Sequence, residues 1–498
     1  MRIQIDTSLG PIAGVQRSDH QSFLGIPFAK PPVGELRFRA PEPPDPWSGV
    51  LEASGFRRSA PQGESALPGM SVGETSEDCL YLNVFSPQAG TGARPVLFWV
   101  HGGGFTAGSA SQDLYDGGPL ATRGDVVVVT INYRLGALGY LSLDGVDSNI
   151  GQRDQIAALE WVRDNIESFG GDPENVTIFG ESAGGMAVTA LLAMPAARGL
   201  FHRAISQSGT THQGYGSDSA DIVASMLLEE LGVSDVAGLR SASVESLVEA
   251  QLRCMAKTRR EIMQMPFVPV IDAESMPRHP LDAVAAGTAC DIPLLVGTNL
   301  DEFKLFALGD RKITGMGNES LEKRVRSLTA AYRGDDSAAA KLLETYRHAL
   351  EQRGPNSPYE ILSAIESDRS FRVPGIRIAE AQCIHQPQTF SYLLTWKSPA
   401  ARGLLGACHA LELPFMFGTL GAPTMDRFAG TGADADLLSE TMMDSWLAFA
   451  RSGDPGCDAL PNWDGYDAGR RATMLFDRDC ELVDAPYDTE RAAWDQIF

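Results

Sequence analysis

Short apolar runs alternate with helix-period segments in the first half of the chain. Val96–Val100 and Val126–Ile131 are apolar at nearly every position, which is typical of strands buried on both faces of a parallel sheet. From Gln152 to Phe169 apolar residues recur every three or four positions, which predicts an amphipathic helix that crosses over the sheet. Val176–Phe179 is predicted as the next strand and Met186–Met194 as the next helix. This order predicts an α/β fold in which a large, mostly parallel central sheet is flanked by helices.

The remaining segments favour one discontinuous domain, although 498 residues would allow roughly three domains. The first ninety residues are rich in proline and glycine, so we expect a meandering surface layer without long helices, and then a strand at Leu80–Phe85. Charged helical patterns at approximately 215–265 and 310–385 predict two helical insertions that form a lid or regulatory region. Strand character returns at Ile292–Val296 and Phe390–Thr395. We therefore predict a single domain over residues 1–498.

The composition excludes several classes of partner. The chain has 64 acidic and 41 basic residues and a net charge of −23, and a field of that sign repels the phosphates that dominate nucleic-acid affinity. The N-terminal segment lacks the apolar core of a signal peptide, and no run of about 20 apolar residues occurs. Seven scattered cysteines without C-x-x-C spacing predict neither a disulfide framework nor a zinc site. We expect a cytoplasmic protein with no membrane span, no metal and no nucleic-acid partner.

One serine lies in the setting that an activated nucleophile requires. Gly180–Gly184 has the form G-x-S-x-G between a predicted strand and a predicted helix, and its glycines permit the strained turn that would expose Ser182. The backbone amide of Ala183, at the helix start, can then face a developing oxyanion. Gly69–Gly73 has the same form, but no strand precedes it, so we interpret Ser71 as an ordinary loop serine. Ser182 is the predicted nucleophile.

A run of three glycines provides a second element of such a site. His101–Phe105 reads H-G-G-G-F and directly follows a predicted strand. Glycines leave backbone amides uncovered and able to approach a ligand, as an oxyanion hole requires. Next to an exposed serine, this run is predicted to bind the oxyanion rather than to form a simple tight turn.

A serine nucleophile also needs an acid and a base, and in this type of sheet they follow it in the order serine, acid, histidine. Asp301 and Glu302 leave the end of a predicted strand, and both are candidates for the acid. Of the later histidines, His348 lies in a charged helical stretch and His385 beside Gln-Pro, where solvated side chains are the usual outcome. His409 lies in a loop-like glycine context soon after a strand, so it is the favoured base.

Two long segments resemble the signatures of a known family. Phe169–Gly184 reads FGGDPENVTIFGESAG, and Glu77–Val84 reads EDCLYLNV. Both are similar to signatures of the type-B carboxylesterase family, the cholinesterase-like branch of the α/β-hydrolases. The resemblance extends from Leu9 to Trp463, almost the whole chain. It implies the α/β-hydrolase fold.

The resemblance also implies a role for each residue of the site. The nucleophile, the acid and the base are implied to be Ser182, Glu302 and His409. The amides of the oxyanion hole are implied to be those of Gly103, Gly104 and Ala183. Glu181 and Ser208 are implied to support the catalytic side chains without reacting themselves. Two structural ion pairs are implied as well, Arg134 with Asp154 and Arg37 with Glu77.

The chain departs from the secreted members of that family at one cysteine. Those members bridge the cysteine of the Glu-Asp-Cys segment to another just before a Pro-Gln, whereas here Ser59 and Ala60 precede the Pro-Gln. Cys79 therefore lacks the partner that the resemblance would imply. This difference favours residence in the cytoplasm.

Together these features predict a serine carboxylesterase that hydrolyses small-molecule carboxylic esters through an acyl-enzyme intermediate and needs no cofactor. A carbamate or amide hydrolase would use the same three side chains and is the alternative. A non-catalytic adhesion protein on the same fold is a remote alternative, because serine, acid and histidine are all present. The sequence leaves open whether the protein is a monomer or a homo-oligomer.

Overall fold

Thirteen strands in the described part of the chain form one sheet. The computed structural model describes residues 1–64, 71–90, 92–210, 217–261, 265–332 and 334–498. The strands are β1 Arg2–Thr7, β2 Gly10–Gln16, β3 Gln21–Pro27, β4 Leu51–Glu52, β5 Tyr81–Ser86, β6 Arg94–Val100, β7 Val127–Ile131, β8 Gly171–Glu181, β9 Arg203–Gln207, β10 Leu294–Asn299, β11 Thr389–Leu394, β12 Ala472–Phe476 and β13 Glu481–Asp484. The order across the sheet is β1-β2-β3-β5-β7-β6-β8-β9-β10-β11-β12-β13, with β4 beside β2.

Helices connect and cover these strands. They are α1 Gly118–Gly124, α2 Gly136–Tyr140, α3 Ile150–Asn165, α4 Ala183–Ala193, α5 Ser217–Leu231, α6 Val236–Ser241, α7 Val244–Glu261, α8 Pro280–Ala285, α9 Phe303–Ala307, α10 Arg311–Thr314, α11 Asn318–Ala330, α12 Asp336–Arg353, α13 Pro358–Ser367, α14 Val373–Cys383, α15 Leu413–Met416, α16 Met425–Phe428, α17 Ala433–Ser452 and α18 Asp488–Trp494. The predicted crossover helix is α3, which continues as a short 3-10 turn and ends at Gly170, whose φ is +82°.

The centre of the sheet is parallel, which confirms the predicted fold class. The pairs from β7 through β6, β8, β9, β10 and β11 to β12 all run parallel. Successive residues of β6 point to opposite faces, so Phe98 joins one hydrophobic cluster and its neighbours Leu97 and Trp99 join another. Each cluster is covered by helices. Strands buried on both faces explain the continuous apolar runs of the sequence.

The strand predicted at Leu80–Phe85 is present, and the N-terminal third adds antiparallel strands to the sheet. The run at Leu80–Phe85 forms β5, which pairs antiparallel with both β3 and β7; an apolar run reports burial and carries no information on strand direction. Residues 2–27 form β1, β2 and β3, antiparallel strands at the edge of the sheet, rather than a surface layer. Gly25, with φ +76°, lies at a register shift inside β3, so a glycine that signals a turn in the sequence marks a bulge here.

Both charged helical stretches lie between consecutive strands of the sheet. Helices α5–α8 connect β9 to β10, and α9–α14 connect β10 to β11. A third hydrophobic cluster joins the second stretch to the C-terminal helix, where Trp494 is fully buried. Residues 262–264, at the end of the first predicted insertion, and residues 215–216, at its start, lie outside the described residues.

Both ion pairs implied by the resemblance are present. Asp154 and Arg134 are buried, with Nη2 of the arginine 2.5 Å from Oδ1 of the aspartate. Nη2 of Arg37 lies 2.5 Å from Oε2 of Glu77. In the described ranges no helix is both long enough and apolar enough to cross a bilayer.

Candidate active site

Ser182 lies in a sharp turn between β8 and α4. Its φ of +57° and ψ of −124° place a non-glycine residue in a sparsely populated region of backbone space. Surrounding backbone leaves room only for glycine: a Cβ on Gly184 would lie 2.0 Å from the carbonyl oxygen of Val100. The turn is held by hydrogen bonds in which the Ser182 amide donates to Gln207 O and the Met186 amide donates to Ser182 O. Ser71, by contrast, is exposed in a loop without strand or helix.

The glycine run lies beside this turn. Gly103 and Gly104 have φ of +111° and +62°, and a Cβ on Gly103 would lie 2.1 Å from the carbonyl oxygen of Ala107. A Cβ on the preceding Gly102 would lie 3.2 Å from Cβ of Ser182, so the glycine loop contacts the serine turn. The run therefore lies next to Ser182 and to the start of α4, where Ala183 begins the helix.

His101 anchors the start of the glycine run. The imidazole is buried, stacks on Tyr133 at 4.5 Å between ring centroids, and its Nδ1 lies 2.8 Å from Gly102 O. Burial lowers the pKa of His101 to about 4, so the ring is neutral near pH 7. The Tyr133 hydroxyl donates to His101 O at 2.8 Å. This histidine therefore holds the start of the glycine run in place.

Glu302 contacts His409 in the interior of the protein. Oε2 of Glu302 lies 2.5 Å from Nδ1 of His409, and both residues are buried. The other carboxylate oxygen, Oε1, accepts hydrogen bonds from the Asn299 amide at 2.8 Å and from the Ser208 hydroxyl at 2.5 Å. Charge-assisted hydrogen bonds of this kind fix the position of a carboxylate. Ser208 thus holds the carboxylate that holds the imidazole.

The neighbouring Asp301 faces a different set of partners. Its Oδ2 accepts from the Ala407 amide at 2.9 Å, and its Oδ1 lies 3.0 Å from Nζ of Lys304. The residues alone left open which of the two acids faces the base. In the structure the two side chains point to different partners, and of the two only Glu302 contacts the imidazole.

The other contacts of the imidazole are with Glu181 and two phenylalanines. Nε2 of His409 lies 3.0 Å from Oε1 of Glu181, an ionic contact without hydrogen-bond alignment. The rings of Phe306 and Phe371 are each 4.9 Å from the imidazole and lie nearly parallel to each other. Phe371 belongs to a π-helical turn, Asp368–Arg372, a widening that the sequence pattern does not signal.

Ser182 and His409 are neighbours through Glu181 but are not hydrogen-bonded to each other. Among the described residues, Oγ of Ser182 has no hydrogen bond to the imidazole, whose Nε2 lies against Glu181. Such contacts are often long in a site without substrate and tighten when substrate binds. The remaining candidate bases lie elsewhere: His348 is exposed on α12 beside Gln352, and His385 is exposed and contacts Ala285 O.

Glu412 is a fourth carboxyl group near the site that was not predicted. It is fully buried, and its Oε2 accepts from Asn299 Nδ2 at 2.6 Å while its Oε1 accepts from Gln207 Nε2 at 3.2 Å. Burial raises the pKa of Glu412. It lies three residues after His409 in the segment His-Ala-Leu-Glu, and this nearness in sequence to the predicted base is the signal that could have identified it.

The buried charges change the proton affinity of the imidazole. Burial alone would lower the pKa of His409, but the negative charges of Glu181 and Glu302 outweigh it and raise the pKa to about 9. Burial raises the pKa of Glu181 to about 8. A base must be neutral to accept a proton, so a nearby carboxylate moves the acid side of a pH–rate profile to higher pH.

Replacing Glu181 by glutamine is therefore expected to move the acid limb of the kcat/KM profile to lower pH. Removing one adjacent negative charge should shift the midpoint by roughly 1 pH unit, the change that about 1.4 kcal/mol of charge interaction produces. Glu174→Gln is a matched control, because Glu174 lies on the same strand and is 85% exposed. An acid limb that stays in place or moves upward in Glu181→Gln would show that this carboxylate does not act on His409.

No group of three or more histidine, cysteine, aspartate or glutamate side chains suited to a metal ion occurs in the ranges that the structure describes.

Comparison with known proteins gives consistent similarities over the full length. The sequence model of the Carboxylesterase family matches residues 2–494. The para-nitrobenzyl esterase of Bacillus subtilis (strain 168) is 38% identical over 496 residues, which cover 98% of this chain and 97% of that protein. The phenmedipham hydrolase of Pseudarthrobacter oxydans is 34% identical over 483 residues, 94% of each chain. A solved carboxylesterase structure from Geobacillus stearothermophilus superposes with a TM-score of 0.88 at 38% identity, covering 99% of both chains.

Proposed function

Because this chain belongs to the carboxylesterase family and is a serine carboxylesterase of the α/β-hydrolase fold, we propose that Ser182, His409 and Glu302 carry out its ester hydrolysis. The observation that supports the assignment most strongly is the 2.5 Å contact between His409 Nδ1 and Glu302 Oε2 beside the strained Ser182 turn. A carboxylate on Nδ1 fixes the tautomer that leaves Nε2 free to accept a proton.

In the first half of the proposed reaction, His409 Nε2 accepts the hydroxyl proton of Ser182 while Oγ bonds to the ester carbonyl carbon. The carbonyl oxygen becomes an oxyanion, and the backbone amides of Gly103, Gly104 and Ala183 donate to it. When the intermediate collapses, its bond to the alkoxy oxygen breaks, and the leaving alcohol takes the proton back from His409. The acyl group remains on Oγ.

The second half uses the same groups on water. His409 accepts a proton from a water molecule, whose oxygen attacks the acyl carbon, and the amides again bind the oxyanion. The bond from carbon to Oγ then breaks, Oγ regains the proton from His409, and the carboxylic acid leaves. The carboxylate of Glu302 stabilises the imidazolium in both halves. In the structure Nε2 of His409 lies against Glu181, the residue directly before Ser182. For the first step the imidazole must turn from Glu181 toward Ser182.

A carbamate or amide hydrolase is the second candidate, since one relative is by its name a phenmedipham hydrolase. We expect the ester activity to dominate, because nitrogen donation makes a carbamoyl or amide carbon less electrophilic than an ester carbon. A para-nitrophenyl ester, the matching para-nitrophenyl carbamate, the matching para-nitroanilide and phenmedipham test this directly. The ester kcat/KM should exceed the others by at least about tenfold, a barrier difference of about 1.4 kcal/mol.

Either a carbamate or an anilide rate above the ester rate would favour the second candidate. The same assay with EDTA should give an unchanged rate, because the proposed steps use protein groups only. Hydrolysis that EDTA abolishes and zinc restores would contradict the proposal.

We also propose that the chain is one discontinuous domain and resides in the cytoplasm. One sheet that includes both β1 and β13, with both helical stretches between its strands, supports the first proposal. Seven cysteines that are all free thiols, among them the fully buried Cys79, support the second.

A further inference from the structure

Three charged side chains near the site have no part in the proposed reaction. Asp301 and Glu360 flank Lys304, whose Nζ lies 3.0 Å from Oδ1 of the aspartate and 2.9 Å from Oε2 of the glutamate. Lys304 is only 9% exposed. Burial alone would lower the pKa of Lys304, but the two carboxylates raise it, so the ammonium stays charged. A buried cation between two carboxylates fixes the geometry around it, because breaking either contact leaves a charge unpaired.

Asp301 also joins the two loops that carry the acid and the base. Its amide donates to Ala407 O at 2.8 Å, and the Ala407 amide donates back to Asp301 Oδ2 at 2.9 Å. Asp301 precedes Glu302 directly, and Ala407 stands two residues before His409. The approach is close: a Cβ on Gly406, which has φ +56°, would lie 2.2 Å from Asp301 Oδ2. Asp301 thus forms two hydrogen bonds with Ala407 that connect the two loops.

The base loop depends on such contacts more than the acid loop does. Glu302 follows β10 by three residues, whereas His409 lies fifteen residues beyond the end of β11 at Leu394, so strand pairing fixes the first more directly than the second. The amide of Phe303 donates to Ser367 Oγ at 3.0 Å, which ties the acid loop to α13. Glu360, on the same helix, holds Lys304. The acid loop is the fixed side, and the base loop is held to it by Asp301 together with Asn299, whose Nδ2 donates to Cys408 O at 2.8 Å.

We propose that Asp301 and Lys304 are positioning residues that clamp the loop of His409 to the loop of Glu302. This inference rests on the proposed function, because the clamp is proposed to maintain the contact between His409 and Glu302. Neither Asp301 nor Lys304 touches the imidazole; they act through Ala407 and through the distance between the loops. A displacement of about 1 Å at a reacting group can cost about 100-fold in rate.

Asp301→Ala and Asp301→Asn separate position from charge. Alanine removes the acceptor of the Ala407 amide, and we expect kcat to fall between about 10-fold and 100-fold, with KM little changed. Asparagine loses the same charge and the contact with Lys304 but keeps an oxygen for that amide, so its loss of kcat should be clearly smaller than that of Asp301→Ala. Equal losses in both variants, or no loss in Asp301→Ala, would overturn the proposal.

The pH profile gives a readout that simple destabilisation would not move. The charged groups that face His409 are Glu181, Glu302 and Glu412. Loosening the contact with Glu302 lowers the pKa of the imidazole, so the acid limb of kcat/KM in Asp301→Ala should move to lower pH. The limb in Asp301→Asn should stay closer to that of the parent enzyme. A matching shift in both variants would assign the effect to lost charge and contradict the clamp.

Lys304→Met and the double variant with Asp301→Ala test whether the two residues form one unit. Because both act through one loop contact, the double variant should be no slower than Asp301→Ala alone. Fully additive losses would remove Lys304 from the clamp. Glu380→Gln is the matched control: Glu380 is 27% exposed, pairs with Arg471 at 2.9 Å and lies away from both loops, so its kcat and pH profile should not change.

Titration with an organophosphate separates failure of the clamp from failure of the proposed function. Rates are divided by the amount of labelled enzyme, so a misfolded fraction does not count as slow enzyme. Labelling of the parent enzyme at a residue other than Ser182 would contradict the proposed function. Full labelling of Ser182, with an unchanged kcat and pH profile in Asp301→Ala, would contradict the clamp alone.

Discussion

Replacing Ser182 by alanine is expected to abolish ester turnover. Without Oγ no acyl-enzyme forms, and the rate should fall to at most the residual catalysis of about 10³ to 10⁴ over water that binding and an oxyanion hole provide. The fold should tolerate the change in side chain, because the turn is held by the backbone bonds from Ser182 to Gln207 and Met186. Steady-state assay of a para-nitrophenyl ester, with circular dichroism as a check of folding, measures this effect.

The second G-x-S-x-G serine provides the control for this prediction. Ser71 has the same flanking pattern but is exposed in a loop, and Ser71→Ala should change the rate by less than about threefold, as loop substitutions generally do. An organophosphate should label the Ser182 peptide in the parent enzyme and in Ser71→Ala, and no peptide in Ser182→Ala. A labelled Ser71 peptide, or an active Ser182→Ala protein, would contradict the assignment of the nucleophile.

Replacing Glu302 by glutamine should lower kcat by about 10³ to 10⁴. An amide can donate to Nδ1 of His409 and so favour the tautomer that carries its proton on Nε2, where it cannot accept the serine proton. The neutral side chain also fails to stabilise the imidazolium. We expect KM to change little, because Glu302 is fully buried behind the imidazole and lies away from the substrate.

Asp301→Asn is the comparison for Glu302→Gln, because it removes the same charge one residue away, from a side chain that does not contact the imidazole. Its kcat should fall far less than that of Glu302→Gln, since Oδ1 of the amide can still accept from Ala407 and Glu302 keeps its contact with the imidazole. Greater damage from Asp301→Asn than from Glu302→Gln, in folded protein, would reverse the assignment of the acid. Thermal unfolding of both variants establishes that folded protein is compared.

The sequence predicted the centre of the fold because its signals there are local. Continuous apolar runs locate β6 and β7, and the period of three to four locates α3, because burial on two faces or on one stripe dictates those patterns. Strand direction is not local, which is why the antiparallel pairing of β5 could not be predicted. Gly25 could not be predicted as a bulge either, because a glycine inside a strand gives the same sequence signal as a turn.

The site divides in the same way between local and distant signals. Ser182 was found from its own turn, since glycine requirements are encoded within five residues. The residues alone could not choose between Asp301 and Glu302, because their different partners, Ala407 and His409, lie about a hundred positions later. The rings on the imidazole were missed for the same reason: Phe371 reaches it only through a π-helical turn that leaves no pattern in the sequence.

The distance in sequence between the acid and the base has a consequence for how the enzyme gains activity after synthesis. Glu302 and His409 are 107 residues apart, and α9–α14 with β11 must fold between them. Contacts of such high sequence separation form late, because loop closure must precede any gain from the contact. A partly folded chain can form the Ser182 turn early and still lack a base to activate it. Hydrolysis therefore cannot begin before this long-range pairing has formed, and until then the nucleophile stays inert.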